Sequence, residues 1–210
     1  MKTLIVVDVQ QDFVNPNWGH LYVHDGEKVI QPIIDYIKKN ANILREVIFT
    51  LDWHSYSNGK SCVEPSITWS RHCMQYSEGA SIPQNIINTC IDHNVPLKFF
   101  IKGNSETDWH TEYGAFEKIG TYEYGNGDFG IAVNNRCSDN ALVLNGGDEF
   151  VVCGVAGDYC VMNTIKNLLK YDGPCGPMKI SVFNDGVASI DGGETFDNFV
   201  KEHNISYVNY

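Results

Sequence analysis

A three-layer α/β sandwich of Rossmann-like kind, built on a mostly parallel central sheet, is the fold class this sequence predicts. Three observations predict it. Short apolar runs of strand length, such as Leu4-Ile-Val-Val7 and Val151-Val-Cys153, have the continuous hydrophobicity of strands buried on both faces. Segments with apolar residues at helical spacing alternate with them, which calls for right-handed βαβ crossovers and helices on both faces of the sheet. Reactive side chains fall just past the carboxyl ends of the runs, the edge at which open α/β sheets bind ligands.

In chain order, Leu4-Ile-Val-Val7 is the first strand and runs into Asp8-Val-Gln-Gln-Asp-Phe13. Ile30, Ile33, Ile34 and Ile37 then mark an amphipathic helix on the i, i+3, i+4, i+7 pattern. Residues 47–51 form a second strand that leads into Asp52-Trp-His54. The polar, irregular stretch at about 55–80 reads as an insertion that walls a site, since long structureless loops in compact domains usually carry function. Ile86, Ile87, Cys90 and Ile91 make a short helix, and residues 97–101 a third strand ending at Lys102-Gly103. Residues 109–116 suggest a loop folding back over the site, and 117–148 a mostly irregular stretch with a short helix near 138–144. Val151-Val-Cys-Gly154 then gives way to a small-residue turn and a helix whose Val161, Ile165, Leu168 and Leu169 share one face. Residues 179–183 are a strand ending at Asn184-Asp-Gly186. Phe196, Phe199 and Val200 mark a helix, and residues 205–208 a last short strand.

Composition bounds the partners. A chain of 210 residues, 43% hydrophobic and 20% charged, reads as a single soluble domain spanning 1–210. Its net charge of −11 excludes a nucleic acid or an anionic membrane as partner, because a phosphate-binding face needs clustered Lys and Arg. Seven cysteines without a CxxC pair imply neither a disulfide framework nor a zinc ribbon. With Met1-Lys-Thr running straight into a strand, the expectation is a cytoplasmic protein acting on a small-molecule substrate, its assembly into a homo-oligomer left open.

The chemistry converges on one edge. Cys160 stands at a strand-to-helix junction, where N–H groups and the helix dipole favour thiolate over thiol. Asp8 is placed to take the thiol proton, Lys102 to hold the ion pair, and Cys160 to attack an acyl carbon. Backbone N–H groups of the turn from Val155 through Tyr159 to Cys160 stand ready for an oxyanion. Taken singly, a buried inert cysteine, a turn-forming Asp8 and a solvated Lys102 are the more ordinary readings; their convergence is what outweighs them. Asp52, His54 and His72 offer one oxygen and two imidazoles, a composition that suits an open catalytic site for Zn²⁺, Fe²⁺ or Mn²⁺. His20, His24, His93, His110 and His203 read as ordinary surface or core residues.

These motifs together carry a resemblance. Asp8-x-Gln-x-Asp-Phe13, Asp52-Trp-His54, Trp69-x-x-His-Cys73, Lys102-Gly103 and residues 153–161 follow the order found in nicotinamidases of the isochorismatase-like cysteine hydrolase superfamily. The resemblance spans the chain, with no marker across 117–148. It implies an isochorismatase-like fold, a triad of Asp8, Lys102 and Cys160, and metal ligands Asp52, His54 and His72. It also implies that Phe13 and Trp69 sandwich a pyridine ring with Tyr159 nearby, and that the Val155–Ala156 bond is cis and turns amides toward the oxyanion. Two departures stand out: Gly157 replaces a common Thr, and residues 55–62 lack a further histidine. Glu64 is the best fourth-ligand candidate, since Asn58 offers a neutral carbonyl and Lys60 would need deprotonation.

The activity implied is hydrolysis of nicotinamide to nicotinate and ammonia through a thioester on Cys160, with one divalent ion, Zn²⁺ ahead of Fe²⁺ or Mn²⁺, holding the pyridine nitrogen. Related carbamoyl or ureido hydrolases are the nearest alternative, though they generally lack the metal set. A vinyl-ether hydrolase has no use for Cys160, and a non-catalytic metal-binding protein has no use for an intact triad.

Overall fold

The computed structural model describes residues 1–54, 69–102, 114–115, 149–170 and 178–210. Six parallel strands form one sheet in the order β3-β2-β1-β4-β5-β6. They are β1 (Lys2–Val7), β2 (Leu44–Asp52), β3 (Leu97–Lys102), β4 (Glu149–Val155), β5 (Lys179–Ala188) and β6 (Ser206–Val208). All described pairings are parallel, which sharpens the expected mostly parallel sheet. The helices are α1 (Gln11–Val14), α2 (Ile30–Asn40), α3 (Gln84–Asp92), α4 (Met162–Leu169) and α5 (Glu194–Glu202).

Strand alternation divides the core into two layers. Leu4 and Val6 of β1, with Val151, Cys153 and Val155 of β4, face Ile33 and Ile37 of α2 and Ile86 and Cys90 of α3. Ile5, Val7 and Val152 face the other way, onto Ile165 and Leu168 of α4 and Phe196, Phe199 and Val200 of α5. Every one of these side chains is buried. Full burial of a side chain of this size contributes about 1.5–3 kcal/mol.

The chain reverses its direction of growth between β1 and β4, and that crevice is the topological switch point at which such sheets hold ligands. Register brings the strand ends level: Val7 pairs with Thr50 and with Gly154, and Asp52 pairs with Lys102. Gly154 makes the close approach possible. Its φ is +126°, and a Cβ there would stand 2.0 Å from the Val7 carbonyl oxygen.

Some elements differ from the sequence expectation. Leu169 and Ile91 point to solvent, because their helices turn narrower apolar faces to the sheet than the run of residues suggested. β5 continues past Asn184-Asp-Gly186 to Ala188, through an irregularity in its pairing with β4. The four-residue α1 has no amphipathic signature at all. The expected helix near 138–144, Tyr113, Phe116 and the greater part of the insertion, 55–68 with Glu64, lie outside the described residues. Gly114 and Ala115 rest on α4, where the Ala115 N–H donates to Thr164 Oγ1 (3.0 Å) and the Asn167 amide donates to the Ala115 carbonyl (2.9 Å).

Candidate active site

Asp8, Asp52 and Lys102 are brought together by the ends of three adjacent strands. Asp8 follows β1 with φ +51°, a left-handed conformation that Asp tolerates better than most residues. The turn it makes is held by the Gln10 N–H, which donates to the Asp8 carbonyl at 2.8 Å. Lys102 Nζ, buried at the end of β3, lies 2.7 Å from Asp8 Oδ2, 2.5 Å from Asp52 Oδ1 and 3.8 Å from Cys160 Sγ. The thiol sulfur and carboxylate oxygens of Asp8 and Asp52 all lie within 4.8 Å of one another. One ammonium thus faces two buried carboxylates beside a thiol.

Cys160 sits in a π-helical turn, Gly157–Val161, that precedes α4. The expected first turn of the helix is therefore a wider one, and π-turns of this kind recur at functional sites. Asp158 anchors it: its carboxylate accepts the N–H groups of Ile190 (3.0 Å) and Asp191 (3.1 Å) from the connection after β5. Val155–Ala156 is cis, as the resemblance implied. The Gly157 departure has a local reason, since Ser189 Oγ stands 2.2 Å from where a Cβ would be.

Burial pushes the Cys160 thiol well up, outweighing the pull of Lys102 and opposing the lowering that a helix terminus alone suggested. Burial raises Asp8 as well; Lys102 pulls it down and Asp52 pushes it back up, leaving a stronger base than an ordinary carboxylate. Burial also raises Asp52, but the Lys102 ammonium and the two histidines prevail and hold its carboxyl well below the usual range. Burial works against the charge on Lys102, and the carboxylates of Asp52 and Asp8 more than restore it. The set is a neutral thiol facing a basic carboxylate, with a fixed cation between two acids.

The second group shares Asp52. While Oδ1 contacts Lys102, Oδ2 lies 3.8 Å from His54 Nε2 and 3.6 Å from His72 Nε2. The two Nε2 atoms are 3.3 Å apart. These separations are close to the ligand-to-ligand spacing of a four-coordinate ion with bonds of about 2.0–2.2 Å. His72 Nδ1 lies 2.7 Å from the Ser70 carbonyl, which takes that N–H and turns Nε2 toward Asp52. Three buried donors, one anionic oxygen and two imidazole nitrogens, suit a divalent metal ion. His54 and His72 meet because 72–75 lies along the extension of β2: the His54 N–H donates to the Cys73 carbonyl (3.0 Å) and the Gln75 N–H to the His54 carbonyl (2.8 Å).

Aromatic residues close the site on two sides. The Phe13 ring lies 5.3 Å from the His72 ring. Trp69 meets Tyr159 edge-on at 5.3 Å, in the turn that carries Cys160.

Sequence reasoning missed the residues that hold these groups. Gln10, wholly buried, donates to the carbonyls of Asp52 (2.8 Å) and Ala80 (2.9 Å) and accepts the Asp52 N–H (2.8 Å). Asp12 accepts the Cys73 N–H on one oxygen (2.6 Å) and holds the His20 N–H (3.1 Å) and ring (2.7 Å) on the other. His20, read as an ordinary surface or core histidine, is thus a partner of that anchor. Polar residues directly after a buried strand were the available signal.

The sheet order and the buried Asp–Lys–Cys set beside a two-histidine, one-carboxylate cluster match the arrangement expected from the resemblance to isochorismatase-like cysteine hydrolases. No family model matches the chain. Over 237 aligned residues it is 28% identical to the nicotinamidase of Saccharomyces cerevisiae, covering 99% of each chain. Among solved structures, the yeast nicotinamidase Pnc1p superposes with a TM-score of 0.66 at 25% identity, with 100% of both chains covered. The pyrazinamidase of Pyrococcus horikoshii in complex with zinc gives 0.62 at 25% identity, over 100% of this chain and 99% of that one. The chain is similar, over its whole length, to the nicotinamidases and pyrazinamidases of that class.

Proposed function

We propose that this protein is a nicotinamidase that hydrolyses nicotinamide to nicotinate and ammonia through a thioester on Cys160. The observation that carries the reading is Asp52, whose one oxygen contacts the triad cation while the other faces two histidines, so that an anchoring site and a nucleophile share one carboxylate.

Asp8 takes the thiol proton as Cys160 Sγ attacks the carboxamide carbon, which suits a neutral thiol beside a carboxylate of raised basicity. The N–H groups of Ala156 and Cys160 receive the oxyanion. Asp8 returns the proton to the departing ammonia, then takes one from the water that opens the thioester. Lys102 keeps its charge throughout and steadies Asp8 and Asp52. Phe13, Trp69 and Tyr159 bracket the ring, with Val155 and Ala156 beneath the carboxamide.

Asp52, His54 and His72 would hold one divalent ion, zinc by the nature of the donors, with Glu64 as a further ligand. Such an ion supplies a Lewis acid for a ring nitrogen and so positions the carboxamide. Ammonia release from nicotinamide, measured before and after chelation and again after zinc is restored, tests the reading. Activity lost on chelation and recovered with zinc is expected. No ammonia release from zinc-loaded protein contradicts it.

A further inference from the structure

Thr50 is buried on β2, level with the end of β1, and it meets Asp8 twice. Its hydroxyl donates to Asp8 Oδ1 at 2.7 Å, and its oxygen accepts the Asp8 N–H at 3.2 Å. An ionised carboxylate can only accept, so the hydroxyl hydrogen points at Oδ1 while a lone pair of Oγ1 faces the Asp8 N–H.

We infer that Thr50 is a positioning residue for the general base: it fixes the rotation of the Asp8 carboxylate and engages Oδ1, leaving Oδ2 to carry the proton. The other side of the same carboxylate is Oδ2, 2.7 Å from Lys102 Nζ. Hydrogen-bonded at Oδ1 and paired by charge at Oδ2, the carboxylate resists rotation about its Cβ–Cγ bond. The proton leaves Cys160 Sγ for Oδ2, the electron pair left on sulfur forms the bond to the acyl carbon, and Thr50 donates to Oδ1 before and after. Because Asp8 has φ +51°, its backbone alone does not dictate a strand-like side-chain direction, and the threonine supplies what the backbone does not.

The position suits a clean substitution. The Asp8 N–H also donates to the Thr50 carbonyl at 3.1 Å, a backbone contact that survives any change of side chain. Thr50→Val keeps the shape and removes only the hydroxyl. The inference rests on the proposed hydrolysis, and its test has one arm that needs no substrate. In the zinc-loaded protein, Thr50→Val lowers kcat for nicotinamide by about 10- to 100-fold, the worth of one hydrogen bond to a charged group. KM and bound zinc stay at wild-type values, and Thr50→Ser restores kcat to within about threefold. Alkylation of Cys160 by iodoacetamide, followed on its own peptide, slows by a similar factor, since it requires the same proton removal. Should Thr50→Val not fold, Thr50→Cys, of similar size and a weak donor, is read in its place. A kcat unchanged within about twofold overturns the inference, as does a loss that serine does not restore or one accompanied by loss of zinc. Wild-type protein that releases no ammonia contradicts the proposed function instead, and the alkylation series then decides the role of Thr50 by itself.

Discussion

Lys102 shows how much one buried side chain can be asked to do. It is 2% exposed and lies within ion-pair distance of Asp8 and Asp52, so its removal strands two carboxylates in the protein interior. Lys102→Ala is expected to cost about 3–5 kcal/mol of stability, the usual penalty for breaking a buried pair from one side. The urea midpoint measures it, and a shift below about 1 kcal/mol contradicts the geometry. His72 gives a pH dependence. Burial disfavours its charged form, yet the Asp52 carboxylate prevails and raises its pKa above 6.5 when no metal competes. The His72–Asp52 contribution to metal-free stability is therefore complete below 6.5 and lost as pH rises through the raised value. Metal binding runs the other way, because the ion needs a neutral imidazole. Zinc retained after dialysis should fall with pH already above 6.5, and retention unchanged down to pH 5.5 contradicts this reading.

At the scale of elements, legibility followed how local the cause was. Strands β1 and β4 were readable because burial on both faces leaves an uninterrupted apolar run, and β2 because its run 47–51 is broken only by Thr50. The π-turn at Gly157–Val161 was not, because hydrogen-bond width leaves no mark in residue spacing. Nor was the ordering of 72–75 beside His54, which depends on backbone pairing and on Asp12, sixty-one residues away in sequence from Cys73. Thr50 carries no mark in the sequence beyond its place in the strand run 47–51. The turn around Gly157 offers a prediction at this scale. A Cβ at 157 meets Ser189 Oγ at 2.2 Å and Val187 Cγ1 at 2.9 Å. Gly157→Ala should destabilise by about 1–3 kcal/mol, and Ser189→Gly should recover part of that loss. Thermal melts of the two single changes and the double one provide the check; simple additivity would mean that the two positions do not collide.

Across the whole molecule, function follows from topology. Reversal of strand order between β1 and β4 opens the crevice, and level registers deliver Asp8, Asp52 and Lys102 to its floor from three different strands. Cys160 reaches the same place from the turn after β4. The grouping of Asp8, Lys102 and Cys160, and that of Asp52, His54 and His72, were legible as residues, since each lies at or just past a strand end or within a recognisable motif. Their sharing of Asp52 was not, because only the folded register turns one carboxylate oxygen to each side. Among the described residues, no helix is long and apolar enough to cross a membrane. The proposed hydrolysis depends most directly on the sulfur of Cys160, 3.8 Å from Lys102 and close to Asp8. Ammonia release by zinc-loaded Cys160→Ala, set against wild type at equal zinc content, measures that claim. A loss of at least about a thousandfold is predicted, with the fold and bound zinc unchanged; activity within about tenfold of wild type would contradict it.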